Sequence, residues 1–281
     1  MPYEAHQSFQ SPEDENASIW RYMDLARFLT ILETRAMFFP SVAKLAEQDP
    51  FEGRYTSKNA LALRFRWENR PESDWKQIGI PTREALEARQ LLVREKLSAS
   101  HLRETVCVSC WHLGDYESDA MWKLYATVHG GVAIRSTVAR LRACFSGYEH
   151  GVFVGLVQYI DYTNAIIGLS DDFAPCLHKR KSFEHERELR AATMLHGDRP
   201  PDADRKPIAE EPAASLRLPI QIPQGISVSV DVARLIDSVY VSPLAPGWFV
   251  ELVRILCKRY ETTYGMALPV EHSALAAVPP I

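Results

Sequence analysis

The stretch Ile19-Trp20-Arg21-Tyr22-Met23-Asp24-Leu25-Ala26-Arg27-Phe28-Leu29-Thr30-Ile31-Leu32 changes its period partway along. Ile19 to Tyr22 is a short aromatic run of the kind found in strands. Asp24 suits the cap of a helix, because its carboxylate can accept from free backbone N–H groups. Leu25, Phe28, Leu29 and Leu32 then recur at helical spacing and make one apolar stripe. Ala36-Met37-Phe38-Phe39-Pro40 is apolar again and stops at proline, which predicts a second strand. The chain therefore opens strand, helix, strand.

The pattern repeats with variation further on. Strands are predicted over Thr105–Trp111, Gly131–Ile134, Gly151–Tyr162, Ile226–Val230 and Ser238–Val241. The longest of these carries Val152, Val154, Leu156 and Ile160 on one face. Helices are predicted over Ser118–Ala126, capped by Ser118 or Asp119, over Val138–Cys144, over Val232–Ile236, and last along Phe249, Val253, Leu256 and Tyr260. Thr82 is a candidate cap for a helix running to Lys96, within a helical insert near residues 54–100. Strands outnumber complete strand–helix–strand crossovers. The predicted class is therefore α+β, with a mixed, mainly antiparallel central sheet and flanking helices. One domain over residues 19–275 is expected, between a loose tail over 1–18 and an extended tail over 276–281, with a flexible loop near 197–213.

Composition narrows the function classes. The chain has 281 residues, is 46% hydrophobic and carries a formal net charge of -4. That is ample apolar material for a core, and too little net positive charge for broad nonspecific nucleic-acid binding. The 5 cysteines are an odd number and no targeting pattern opens the chain, which predicts reduced thiols and a cytoplasmic location. Cys107 and Cys110 have CxxC spacing, but on a strand they point to opposite faces, so no metal is expected there. No stretch is long and apolar enough to span a bilayer, and no membrane partner is expected. The sequence holds no GxSxG, phosphate loop or GxGxxG.

Three clusters could carry chemistry. In Lys179-Arg180-Lys181-Ser182-Phe183-Glu184-His185-Glu186-Arg187-Glu188-Leu189-Arg190, strand alternation puts Glu184, Glu186, Glu188 and Arg190 on one face. Carboxylates so crowded need a cation or a shifted pKa, as catalytic sites do. As a helix, the same run pairs Glu186 with Arg190, and a solvated charged face is the plain alternative. The second cluster is aromatic: Trp20, Tyr22, Trp111, Trp122 and Tyr125. Such walls suit a flat heterocycle, although core packing is their commoner use. The third is Asp49 and Glu52, two carboxylates in a Pro/Gly turn that could bind a cation or serve as a local cap.

Read in order, several short motifs resemble a known family. They are Trp20-Arg21-Tyr22, Phe38-Phe39-Pro40, Asp49-Pro50-Phe51-Glu52-Gly53, Ser109-Cys110-Trp111, Met121-Trp122-Lys123-Leu124-Tyr125, Gly131-Val132-Ala133-Ile134, Lys181 with Glu186-Arg187-Glu188-Leu189-Arg190, and Val241-Ser242-Pro243. The set resembles the uncharacterised bacterial family catalogued as domain of unknown function twenty-nine seventy-one, over roughly Ile19–Leu275. More distantly the chain resembles ADP-ribosyltransferases, with Arg21 at the early strand position, Tyr125 at the middle aromatic and Glu186 or Glu188 at the late acidic one. That resemblance implies NAD as the nucleotide bound, by Arg21, Tyr22, Trp122 and Tyr125, and Glu186 and Glu188 as catalytic residues. It implies NAD cleavage or ADP-ribosyl transfer to a protein or nucleic-acid acceptor, in a toxin or phage-defence setting. A metal-dependent nuclease using Asp49, Glu52, Glu186 and Glu188 with Lys181, and a noncatalytic binding protein, are the rival classes.

Overall fold

The structure is a computed structural model. It describes residues 5–59, 100–127, 129–168, 172–195 and 224–276, together with a few isolated positions. The expected helix beyond Thr82, the loop near 197–213 and the last residues from 277 lie largely or wholly outside them; Thr82 itself accepts a bond from the Ala85 N–H at 3.2 Å.

The opening stretch folds as its periods predict. Strand β1 spans Ser18–Asp24, helix α1 Leu25–Thr34 and strand β2 Ala36–Pro40. The Asp24 carboxylate caps α1 by accepting from the Arg27 N–H at 2.7 Å. Phe28, Ile31 and Leu32 form the buried face of α1, each side chain contributing roughly 1.5–3 kcal/mol through burial. Arg35 ends the helix in the left-handed region, at φ 50°.

Further along come α2 (Val42–Leu45), α3 (Ser100–Thr105), β3 (Val106–Leu113), α4 (Asp119–Tyr125), β4 (Gly131–Thr137), α5 (Val138–Ala143), β5 (Phe153–Leu156), β6 (Gln158–Ile160) and β7 (His178–Arg180). Strand β8 (Glu188–Met194), β9 (Gly225–Ser229), α6 (Val232–Leu235), β10 (Ser238–Val241), α7 (Gly247–Tyr264) and β11 (Val270–His272) complete the order. The central sheet has 7 strands in the order β11-β10-β4-β1-β3-β8-β5. Within this sheet, among the described residues, only β10 and β11 pair in parallel, so it is mixed and mainly antiparallel, and the fold is α+β. One face carries the main core, with Ile19, Met23, Trp111, Ile134 and Val239 under α1, α5 and α7. The other carries Trp20, Tyr22, Ala133 and Tyr240 under α4, and Val106, Val108 and Ala192 under Phe9, Phe173 and Leu177.

Three expectations change. Gly151–Tyr162 is not one strand. It breaks at Val157, whose N–H donates to the Glu188 carbonyl at 2.9 Å, and β5 and β6 join different sheets. The N-terminal segment is not a loose tail. Phe9 is buried in a ring cluster with Phe153 and Phe173, and Arg142 holds Glu15 at 2.6 Å. Gly155 is what allows that docking, since a Cβ there would stand 2.8 Å from Phe9. Lastly, Lys179–Arg190 is neither one strand nor one helix. β7 ends at Arg180, Lys181–Glu186 is a 3₁₀ turn, and Arg187 reverses the backbone at φ 41° before β8 begins. Glu184 is consequently exposed, while Glu186 and Glu188 are buried.

The site is created by a fork in the sheet. β1 pairs with β4 through seven residue pairs from Ser18↔Thr137 to Asp24↔Gly131. With β3 it forms only Ile19↔Leu113 and Trp20↔His112. Past Trp20 the ladder to β3 stops, and a guanidinium bridges the opening: Arg21 Nη1 donates to the Ser109 hydroxyl.

Candidate active site

A cavity of about 270 Å³ occupies this fork. Its walls are Trp20, Arg21 and Tyr22 from β1, Cys110, Trp111 and His112 from β3, and Tyr125 from the last turn of α4. Its floor is a set of buried charges. Register explains how they gather. β8 pairs with β3 so that Glu188 lies beside His112 and Arg190 beside Cys110. The Asp49–Gly53 turn after α2 brings in Glu52, and β7 brings in Lys179.

Arg190 is the centre of the network and is 0% exposed. It holds Glu52 through both terminal nitrogens, Nη1–Oε2 3.0 Å and Nη2–Oε1 2.8 Å. It holds Glu188 through Nε–Oε1 at 2.7 Å and Nη2–Oε2 at 3.1 Å, and donates to the Cys176 carbonyl at 2.5 Å. All five guanidinium N–H groups are thereby used. Lys179 Nζ lies between Glu186, which it contacts most closely, Glu188 at 3.3 Å and Glu52 at 3.6 Å. Burial alone would discharge Lys179. The three carboxylates, Glu188 foremost, outweigh burial and the repulsion of Arg190, and hold the ammonium well above its ordinary value.

Three carboxylates thus share two cations, and the floor carries one excess negative charge. The excess belongs to the network as a whole, and the three carboxylates differ in what holds them. Glu52 and Glu188 are gripped by Arg190. Glu186 has no arginine; its partners are Lys179 and the Tyr125 hydroxyl, which donates to Oε1 at 2.8 Å. Its backbone is fixed as well, because the Glu186 carbonyl accepts from His112 Nδ1 at 2.7 Å. That bond leaves His112 Nε2 as the unprotonated nitrogen, and burial lowers the His112 pKa further below its ordinary value. Burial raises the Tyr125 phenol, and the Glu186 charge adds to the rise, so Tyr125 stays a donor.

At the fork, Arg21 supplies the opposite sign. Its guanidinium contacts Ser109, the Phe38 carbonyl at 3.5 Å and the Trp111 ring at 5.7 Å. No carboxylate pairs with it among the described residues, and burial, assisted by Arg27, lowers its pKa from the ordinary value. Strand alternation puts Arg21 with Ile19, Met23 and Trp111 on one face of the sheet and Glu188 and Arg190 with Cys110 on the other, and the two meet in one aromatic-lined cavity at the fork.

The expected site residues divide accordingly. Arg21, Tyr22, Tyr125, Glu186 and Glu188 all line the cavity. Trp122 does not. It is buried against Tyr22, 4.9 Å between ring centroids, and its indole N–H donates to Glu117 at 2.9 Å, so it shapes the wall from behind. Asp49 and Glu52 do not form a pair free to take a cation, since Asp49 is held by Arg180 at 2.7 Å and Glu52 by Arg190. Lys181 is exposed, and Lys179 occupies the place it was expected to fill. Cys107 faces the main core and Cys110 the cavity, where burial raises its thiol far above the ordinary value.

The Glu188 carboxyl makes stability depend on acid. Burial would raise its pKa, but Arg190 and then Lys179 pull it down, from 4.5 to about 2. A carboxyl depressed in the folded state stabilises fully above its unfolded value and loses that contribution as pH falls through the folded one. The urea midpoint should therefore hold steady down to about pH 4.5 and then fall towards pH 2, with roughly 3 kcal/mol at stake. Urea titrations across this range check it. A flat midpoint between those limits contradicts the ion network as described.

No family model matches the chain, no curated protein matches it, and no solved structure does.

Proposed function

We propose that the fork cavity binds NAD and cleaves its nicotinamide–ribose bond, passing the ADP-ribosyl group to water or to a macromolecular acceptor. One observation carries this reading: Glu186, the carboxylate of the anionic floor that Arg190 does not hold, and Arg21, a buried guanidinium without a carboxylate partner among the described residues, line one aromatic-walled cavity. A dinucleotide presents matching groups, with phosphates for the cation, ribose hydroxyls for the carboxylate and a flat cationic ring for the aromatic walls. The more distant resemblance to ADP-ribosyltransferases, with Arg21, Tyr125 and Glu186 or Glu188 at its three positions, supports the same reading.

In this mechanism the bond between nicotinamide nitrogen and ribose C1′ breaks, and its electron pair leaves with the nicotinamide, which becomes neutral. The ribose develops oxocarbenium character, which the negative charge of Glu186 stabilises in a cavity partly closed to water. The acceptor oxygen or nitrogen forms the new bond at C1′, and Glu186 takes its proton. Tyr125 and Lys179 hold the carboxylate in place, and Arg21 anchors a phosphate.

The test is incubation of the full chain with NAD, with and without a chelator, followed by chromatography for nicotinamide and ADP-ribose. Nicotinamide release unaffected by the chelator is expected. Magnesium-dependent cleavage of nucleic acid with no NAD loss would replace this reading with the nuclease. Neither activity, with no thermal shift on adding NAD, would leave a binding protein of another specificity.

A further inference from the structure

Helix α7 buries Phe249, Val250, Val253, Cys257 and Tyr260 against the main core. At about 100° per residue, a second row runs along the opposite side: Trp248, Leu252, Ile255 and Arg259. It is open to solvent, with Trp248 68%, Leu252 37% and Ile255 65% exposed, and Leu244 just before the helix adds another 62%. A contiguous apolar row of this kind differs from scattered surface leucines and marks a contact face.

We propose that this row pairs with the same row of a second copy of the chain, antiparallel about a two-fold axis passing between Val253 and Arg254. The pattern is complementary to itself in that register. Leu252 meets Ile255 of the second copy, and Ile255 meets its Leu252. Trp248 meets Arg259, which forms no ion pair among the described residues and is free to stack on the indole. Glu251 and Lys258 lie on one flank of the row, seven residues apart. In a two-fold antiparallel pair the same flanks face each other, so Glu251 approaches Lys258 of the second copy twice over. In doing so Glu251 and Lys258 exchange weak exposed partners within the helix, Arg254 at 2.5 Å and Glu261 at 2.9 Å, and an anionic lipid surface fits less well because the carboxylates of Glu251 and Glu261 stand among the cations of this face. The dimer would use the sheet face opposite α4 and leave the fork cavity open, so it stands independently of the NAD reading.

Sedimentation velocity over a concentration series tests it. The wild-type chain should pass from monomer to dimer. Ile255→Glu should remain monomeric with an unchanged circular dichroism spectrum, since the side chain is on the surface. Glu251→Lys should weaken the dimer at least about tenfold at low salt by placing like charges at both symmetric positions. Glu251→Lys combined with Lys258→Glu should restore it. A wild-type chain that stays monomeric to its solubility limit overturns the proposal. So does a dimer that survives Ile255→Glu or Glu251→Lys, or a charge swap that restores nothing.

Discussion

Arg190→Met should cost roughly 3–5 kcal/mol of folding stability, the range found when one partner of a buried ion network is removed. Arg190 is fully buried and uses every donor it has on Glu52, Glu188 and the Cys176 carbonyl. Methionine fills much of the volume, so the loss is not a cavity effect. What remains is three buried carboxylates facing Lys179 alone, and two of them must protonate or draw in water. The network also ties three separate segments together: the turn after α2, the 3₁₀ turn at Ala174–Leu177 and the start of β8. A urea titration measures the loss directly. The stability curve of Arg190→Met should also change shape, with stability improving as pH falls and the stranded carboxylates neutralise, opposite to the wild-type trend. A variant within 1 kcal/mol of wild type, or about a fivefold change in the folding constant, would mean that the three carboxylates do not depend on this guanidinium.

The elements were legible wherever local patterns set them. The Asp24 cap, the α1 stripe, the strand ending at Pro40 and the Ser118 cap are decided by residues within a few positions of one another. The run from Lys179 to Arg190 was not, because a non-glycine left-handed residue at Arg187 shifts the alternation and no turn residue announces it. The bend after β5 is likewise set by a partner far along the chain, the Glu188 carbonyl. The candidate site was legible in part: the crowded carboxylates and Tyr125 stood out by type, and Arg21 entered through the resemblance. The place of Lys179 and Glu52 beside Arg190 did not, since three segments distant in sequence must meet first. A signal did exist. Arg190 lies among Leu189, Ala191 and Ala192, and an arginine inside an apolar strand must find buried acids somewhere in the fold. Reading that requirement would also have separated Glu188, which the arginine holds, from Glu186, which it does not.

That separation gives the sharpest functional expectation, Glu186→Gln against Glu188→Gln. Glu186→Gln removes the excess charge and leaves two carboxylates, Glu52 and Glu188, with two cations, Lys179 and Arg190. The balanced floor should be no less stable than wild type, and its melting temperature should stay level or rise. Glutamine keeps an oxygen for the Tyr125 hydroxyl, so the geometry is preserved as well. If Glu186 carries the reaction, NAD turnover should fall by at least about 10²-fold, as when a residue that stabilises developing charge or moves a proton is lost. The fall should appear in kcat more than in KM, because the carboxylate acts most strongly once the ribose becomes cationic. Glu188→Gln should do the reverse. It cuts into the Arg190 fork and should lower the melting temperature clearly, while the activity of whatever remains folded falls less. Melting curves and steady-state NAD kinetics on both variants separate the two roles. A Glu186→Gln protein that turns over NAD like wild type sinks the assignment of Glu186, and one that unfolds shows the excess charge to be structural after all.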